Sequence, residues 1–298
     1  MNPAVAMPMR APVSAIFPVK GTTKVVGIFG DPVTYTLSPQ MHNFAFQSLG
    51  LDFVYVPFLV KSENLKSAVD AMRSLGIVGV NVTIPHKEAV IPYLDELTPI
   101  AKIIGAVNTI LNNFGKLVGH NTDASGFMNS LREDGKFNPQ DKRAVILGAG
   151  GTACALSVAL LESGIKRLVI VNRSNERARA LVAKLNKISS KLEVRAVPWR
   201  AEILKDELKN CDLFVNATPT GIDTPSLSFP AEKLILSQTF VFDCVYATVT
   251  PLLVAAQKAG ASSLGGIGML IRQGALSFSI WTGQAPPVEL MRKALDVK

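Results

Sequence analysis

Ala144-Val145-Ile146-Leu147-Gly148-Ala149-Gly150-Gly151-Thr152-Ala153-Cys154-Ala155-Leu156 passes from a short β-branched run, through a glycine turn, into an Ala/Leu-rich run. Residues 144–161 carry no charge and are long enough to be scored as a membrane span. The glycines interrupt them, however, and the two halves differ in residue type, so they read as a buried strand, a tight turn and a helix. The turn has the form G-x-G-x-x-A: Gly148 permits the sharp turn, Gly150 lets backbone approach a pyrophosphate, and the small Ala153 lets helix and strand pack closely. An anion would rest on the helix N-terminus, where unpaired N–H groups and the positive end of the dipole face it. Gly148, Ala149, Gly150, Gly151, Thr152 and Ala153 are therefore candidate nucleotide-binding residues.

The next strand ends in Val171-Asn172-Arg173-Ser174. An NAD site usually carries Asp or Glu there to hold the ribose 2′-OH, and Asn172 has no charge. Arg173 and Arg177 can pair with a 2′-phosphate, and Ser174 can add a hydrogen bond, so the segment favours NADP.

Outward from this unit, β-branched runs alternate with helical patterns from residue 25 onward, the rhythm of parallel α/β units. Strands are expected at residues 25–29, 53–60 and 78–82, with helices at 39–49, 62–75 and 86–95. Residues 108–111 and 117–119 flank Asn112-Asn113-Phe114-Gly115, which suits a hairpin. A helix at 125–133 leads through a polar segment to the second block, with strands at 144–147, 168–171, 194–197, 213–216 and 240–243 and a helix at 152–163. After Gly265-Gly266-Ile267-Gly268, helices at 270–281 and 288–295 follow with no strand between them, so the C-terminus is expected to return to the first block. The fold class is α/β: two α/β domains with a cleft between them, the second a Rossmann-type nucleotide domain. The boundaries are residues 23–123 plus 261–298 for the first domain and 124–260 for the second. Residues 1–22, rich in Ala, Pro and Met, read as a flexible extension rather than a signal or transit peptide.

The chain has 298 residues, 48% of them hydrophobic and 18% charged, enough for substantial cores and against disorder. A net charge of +8 comes without a dense basic stripe, which argues against a nucleic-acid partner. Cys154, Cys211 and Cys244 are too few and too unevenly spaced for a disulfide framework or zinc site, so a cytoplasmic setting is expected and no metal. Neither composition nor pattern calls for a membrane. Small molecules are the expected partners, and a homodimer stays open.

Asn81-Val82-Thr83-Ile84-Pro85-His86-Lys87-Glu88 follows a predicted strand and places Lys87 in the first turn of a helix, where the dipole disfavours a cation. A site role is the better explanation. Gly105-Ala106-Val107-Asn108-Thr109 and Gly119-His120-Asn121-Thr122-Asp123 add an amide and a carboxylate at comparable junctions, although Asp123 alone would also serve as an N-cap.

Together these segments resemble the shikimate dehydrogenase family from about Lys24 to the C-terminus. The resemblance rests on Asp31-Pro32-Val33-Thr34-Tyr35-Thr36-Leu37-Ser38-Pro39, the segment ending in Lys87, Gly-Ala-Val-Asn-Thr, Asn-Thr-Asp, the glycine turn, Asn-Arg-Ser, and Gly268-Met269-Leu270 with Gln273, in that order. It implies NADP-linked, reversible reduction of 3-dehydroshikimate to shikimate in aromatic amino-acid biosynthesis. Lys87 and Asp123 match the family's catalytic pair, and Thr36 and Ser38 match the hydroxyls that hold the substrate carboxylate. Thr83, Asn108, Tyr246 and Gln273 match residues around the carboxylate and ring hydroxyls. Met269 matches the residue near the nicotinamide, and Thr218 and Gly266 match further cofactor positions. The chain departs from the usual pattern at Thr36, where serine is commoner, at His120, and at Ala124-Ser125 after Asp123. His120, His42 and His86 are read as packing or surface residues. A paralogue acting on quinate or an aminoshikimate, with NAD open to it as cofactor, and a catalytically silent metabolite sensor are the alternatives.

Overall fold

The computed structural model describes residues 19–189, 192–220, 233–246 and 248–297. Most of the expected N-terminal extension, residues 1–18, lies outside them. Two six-stranded sheets organise the described chain. The first contains β1 (Lys24–Gly30), β2 (Phe53–Leu59), β3 (Gly79–Val82), β4 (Glu96–Leu97), β5 (Thr109–Asn113) and β6 (Lys116–His120), in the order β2-β1-β3-β5-β6-β4. It is mixed: β5 runs antiparallel to both β3 and β6. The β5–β6 hairpin turns on Phe114 and Gly115, both at positive φ, as a two-residue loop of that twist requires. Helices α1 (Ser38–Ser48), α2 (Leu65–Ser74), α3 (His86–Ala89) and α4 (Pro99–Ile104) belong to this half, and α5 (Asp123–Asn129) leads out of it.

The second sheet is wholly parallel, with β7 (Arg143–Leu147), β8 (Arg167–Asn172), β9 (Glu193–Pro198), β10 (Leu213–Asn216), β11 (Phe240–Asp243) and β12 (Ser263–Gly265) in the order β12-β11-β10-β7-β8-β9. That is the doubly wound Rossmann order, which reverses between β7 and β10. Alternate residues of β7 feed the two faces: Ala144 and Ile146 pack under α6 (Gly151–Glu162) and α7 (Asn175–Ile188), whereas Val145 and Leu147 pack under α8 (Ala201–Leu208) and α9 (Pro251–Lys258).

After β12 the chain crosses back. Leu270, Ile271, Phe278 and Trp281 of α10 (Ile267–Thr282) and Met291 of α11 (Val288–Ala294) share a core with Val26, Ile28, Met41, Phe46 and Tyr55 of the first half. Trp281 Nε1 donates to the Ile110 carbonyl at 3.0 Å. Gly79 makes room for that ring, since a Cβ there would lie 2.2 Å from the indole nitrogen.

The elements depart from the sequence expectations at a few places. The helix expected at 86–95 stops at Ala89 and resumes as a 3₁₀ turn at Ile91–Tyr93, because Pro92 lacks the N–H that an unbroken helix would use. The helix expected at 125–133 gives way to a π-helical turn at Ser130–Asp134. β12 belongs to the second sheet, so that sheet runs past residue 261, where the sequence placed the change of domain.

Candidate active site

A cavity of about 260 Å³ opens between the strand ends of the two halves. From the first half it is lined by residues that follow β1 and β3 and by the start of α1. From the second it is lined by Thr152 of α6, the Ala217-Thr218-Pro219 segment after β10, and Cys244, Val245 and Tyr246 after β11. Met269, Leu270 and Gln273 of α10 close one side. The β7/β10 reversal thus faces the cavity, the usual position of a ligand in such a sheet.

Lys87 and Asp123 are the cation and the carboxylate among its described lining residues. Lys87 Nζ donates to Asp123 Oδ2 at 2.6 Å and to Thr152 Oγ1 at 3.0 Å. The other carboxylate oxygen accepts from Asn108 Nδ2 at 2.9 Å. Asp123 is therefore not the N-cap its position in the sequence allows: Thr122 occupies that place, and the carboxylate faces Lys87 and Asn108. Asn108 Nδ2 also lies 3.2 Å from Gln273 Oε1, linking β5's entry to α10. A buried ammonium-carboxylate pair with its remaining acceptors satisfied is costly to assemble and strongly oriented once made.

Ser38, which is buried, Thr36 and Thr83 bring hydroxyls to the same cavity. Tyr246 reaches Thr36 from the other half; burial pushes its phenol up, and the hydrogen bond from Thr36 pulls it partly back. Burial also holds the Cys244 thiol well above its ordinary range, which keeps the sulfur protonated and uncharged at this wall.

The glycine turn has the conformation its residues suggest. Gly148 has φ +115° and its Cα faces the Ala217 carbonyl, where a Cβ would lie 3.0 Å away. A Cβ on Gly150, in contrast, would enter open space at the start of α6, and such a clear approach to the helix N-terminus fits a pyrophosphate. Ala149 flanks the turn and Ala153 is buried against the sheet. Thr218 and Gly266 line the cavity with Met269.

The 2′-phosphate candidates are not part of the cavity. They lie at the β8–α7 junction, where the Ser174 hydroxyl caps α7 by accepting from Arg177 N and Asn172 Nδ2 donates to the Ser174 carbonyl at 2.9 Å. Arg173 is exposed and makes no ion pair with a described residue, so its guanidinium is available to an anion. Arg177 lies 3.7 Å from Glu88, the neighbour of Lys87.

Asn81 stands in a segment quoted from the sequence, but nothing there assigned it a role. Its side chain lines the cavity, accepts from the Tyr55 hydroxyl at 2.8 Å and donates to Thr109 and Ser277. The available signal was a polar residue inside a strand buried throughout. Asn216 was also missed; it accepts from the N–H and hydroxyl of Thr218 and donates to Asp243, fixing the loop after β10. His42 and His86 are buried, the former stacked on Tyr55 and the latter bonded to the Val60 carbonyl. His120 is half-buried on β6 and does not line the cavity.

Three family models match: the shikimate dehydrogenase substrate binding domain over residues 28–110, shikimate / quinate 5-dehydrogenase over 132–224, and the shikimate 5'-dehydrogenase C-terminal domain over 266–295. The NADP(+) shikimate dehydrogenase of Desulforamulus reducens is 45% identical over 93% of this chain and 96% of its own. The chain belongs to the shikimate dehydrogenase family. Another shikimate dehydrogenase (NADP(+)), from Methanopyrus kandleri, is 46% identical over 93% of this chain and 96% of its own. Among solved structures, shikimate 5-dehydrogenase from Thermus thermophilus, in complex with NADP(H) and shikimate, superposes with a TM-score of 0.81 at 37% identity, covering 92% of this chain and 99% of that one. Against the usual shikimate dehydrogenase pattern, Thr36 retains a cavity hydroxyl, and Ala124, in the first turn of α5, is buried in the core. None of the described helices is long and apolar enough to cross a membrane.

Proposed function

We propose that this chain catalyses the reversible, NADP-linked interconversion of 3-dehydroshikimate and shikimate, a step of aromatic amino-acid biosynthesis, as a cytoplasmic enzyme. The observation that carries the reading is the Lys87–Asp123–Asn108 array, held at 2.6 and 2.9 Å in a cavity that Thr152, directly after the glycine turn of a Rossmann sheet, also lines. We assign residues 23–123 and the returning helices α10 and α11 to substrate binding, and the second sheet with its helices to the cofactor.

NADPH bound along the glycine turn would supply the hydride, and NADP+ would take it back in the oxidative direction. Gly150 leaves its pyrophosphate a path to the N–H groups of α6, on a turn that Gly148 and Gly151 make possible, and Arg173 and Arg177 supply charge for the 2′-phosphate. In reduction the substrate carbonyl oxygen gains negative charge, and Lys87 gives it a proton while its positive charge stabilises the developing alkoxide. In oxidation the neutral amine takes the proton back. Asp123 holds the Lys87 side chain at the reacting oxygen and offers its other oxygen to a neighbouring ring hydroxyl alongside Asn108. Thr36, Ser38 and Tyr246 grip the substrate carboxylate with neutral donors, so its charge is recognised without a second ion pair in the cavity.

The assignment is tested by steady-state turnover of shikimate, quinate and aminoshikimate with NADP and with NAD. Shikimate with NADP should give the highest kcat/KM. Higher kcat/KM for quinate, or turnover of none of the three acids despite ligand binding, would replace this reading with one of the alternatives.

A further inference from the structure

The two hydrogen bonds of Lys87 come from different halves of the molecule. Asp123 begins α5, beyond the first sheet, whereas Thr152 is the second residue of α6 in the Rossmann half, directly after the glycine turn. Gly151 permits that second contact: a Cβ on it would lie 2.9 Å from Ala106 Cβ and 3.3 Å from Lys87 Cβ, so any side chain there would force the turn away from Ala106 and from Lys87 in α3. An ammonium group carries three donors. Asp123 engages one and Thr152 another, and both acceptors line the cavity together with Lys87.

We propose that Thr152 is a positioning residue of the reaction: its hydroxyl fixes the Lys87 ammonium at a second point, so that the remaining N–H is directed at the substrate oxygen. Held by Asp123 alone, the ammonium would turn about a single hydrogen bond and spend less time aimed at the reacting atom, and proton transfer depends steeply on such alignment. The same bond ties the proton donor to the turn that carries the cofactor. Hydride and proton delivery are thereby aligned through one residue. This proposal rests on Lys87 being the proton donor. It goes beyond a cofactor-seating role for Thr152, because α6 can meet a pyrophosphate with backbone N–H groups that no side-chain change removes.

Thr152→Val keeps the shape and removes the hydroxyl, and Thr152→Ser keeps the hydroxyl. With shikimate and NADP, kcat of Thr152→Val should fall about ten-fold through loss of a hydrogen bond to a charged donor. KM for shikimate and the Kd for NADP, measured by calorimetry, should stay within about two-fold, because the interaction serves alignment rather than binding. Thr152→Ser should recover most of the lost rate. Wild-type kcat in Thr152→Val, a loss confined to NADP affinity, or a serine variant as slow as the valine one would each overturn the proposal. If Lys87→Met is inactive while Thr152→Val is normal, only the role of Thr152 falls; if Lys87→Met turns over normally, the proton-donor reading falls and the role of Thr152 with it.

Discussion

Arg173 has an exposed guanidinium at the end of β8 and no described carboxylate to neutralise it, whereas Arg177 shares its charge with Glu88. Of the two, Arg173 should contribute more to recognition of a 2′-phosphate. Arg173→Gln should weaken NADP by about ten-fold and leave NAD nearly unchanged, since only the phosphorylated cofactor loses a charge-assisted contact. Titration of both cofactors checks this, and equal losses would assign Arg173 to the fold instead. At this scale the sequence revealed a residue whose chemistry is out of place locally, a lysine in a helix's first turn, whereas the hydroxyls of Thr36 and Ser38 were marked by the family resemblance. The sequence concealed residues whose role depends on distant partners. Asn81, Thr109 and Ser277 meet only because β3, β5 and α10 pack together, with 196 positions between the first and the last. Asp123 shows the same limit, since its local sequence suits a cap and Lys87, 36 residues away, and Asn108 draw the carboxylate elsewhere.

Elements were legible in proportion to how much their own residues specify them. The β-branched strands that build the two sheets appear close to the expected spans, and the Phe114–Gly115 turn is where its glycine places it. β12 is Ser-Leu-Gly, too short and too weakly β-forming to be read alone, and exists because β11 offers it a parallel edge. Helix α4 is six residues long and α9 eight, shorter than the stretch of about 11 residues over which a helical period can be read, although Thr250 before Pro251 is a capping signal that could have placed the start of α9. The turn between β7 and α6 was the most legible element, because Gly148 requires a positive φ and Gly151 a close approach to Ala106 and Lys87. Both demands can be met only by glycine, which ties that local sequence directly to the geometry of the site.

Across the whole molecule, the half built on the first sheet depends on a core that crosses the chain's length, from α1 and β2 to α10. His42 lies in it, fully buried and stacked 4.5 Å from Tyr55, with neither ring nitrogen partnered among the described residues. Burial lowers its pKa to about 3, so the native state keeps it neutral while the unfolded chain protonates it near its ordinary value of 6.5. A lowered histidine pKa leaves stability unaffected above pH 6.5, and removes it progressively as pH falls from 6.5 toward 3. The loss should reach about 2 kcal/mol at pH 5. His42→Phe should flatten that slope in denaturant unfolding measured between pH 7 and pH 5; an unchanged slope would place the acid sensitivity elsewhere. That core seats α10, whose Gln273 meets Asn108 beside the Lys87–Asp123 pair. The most direct measurement of the proton-donor role of Lys87 is shikimate turnover by Lys87→Met, with NADP affinity measured on the same folded protein by calorimetry. The loss in kcat should be about three orders of magnitude or more, because acid-base catalysis and charge stabilisation vanish together, with NADP affinity near wild type. Near-normal turnover by the folded variant would contradict that role.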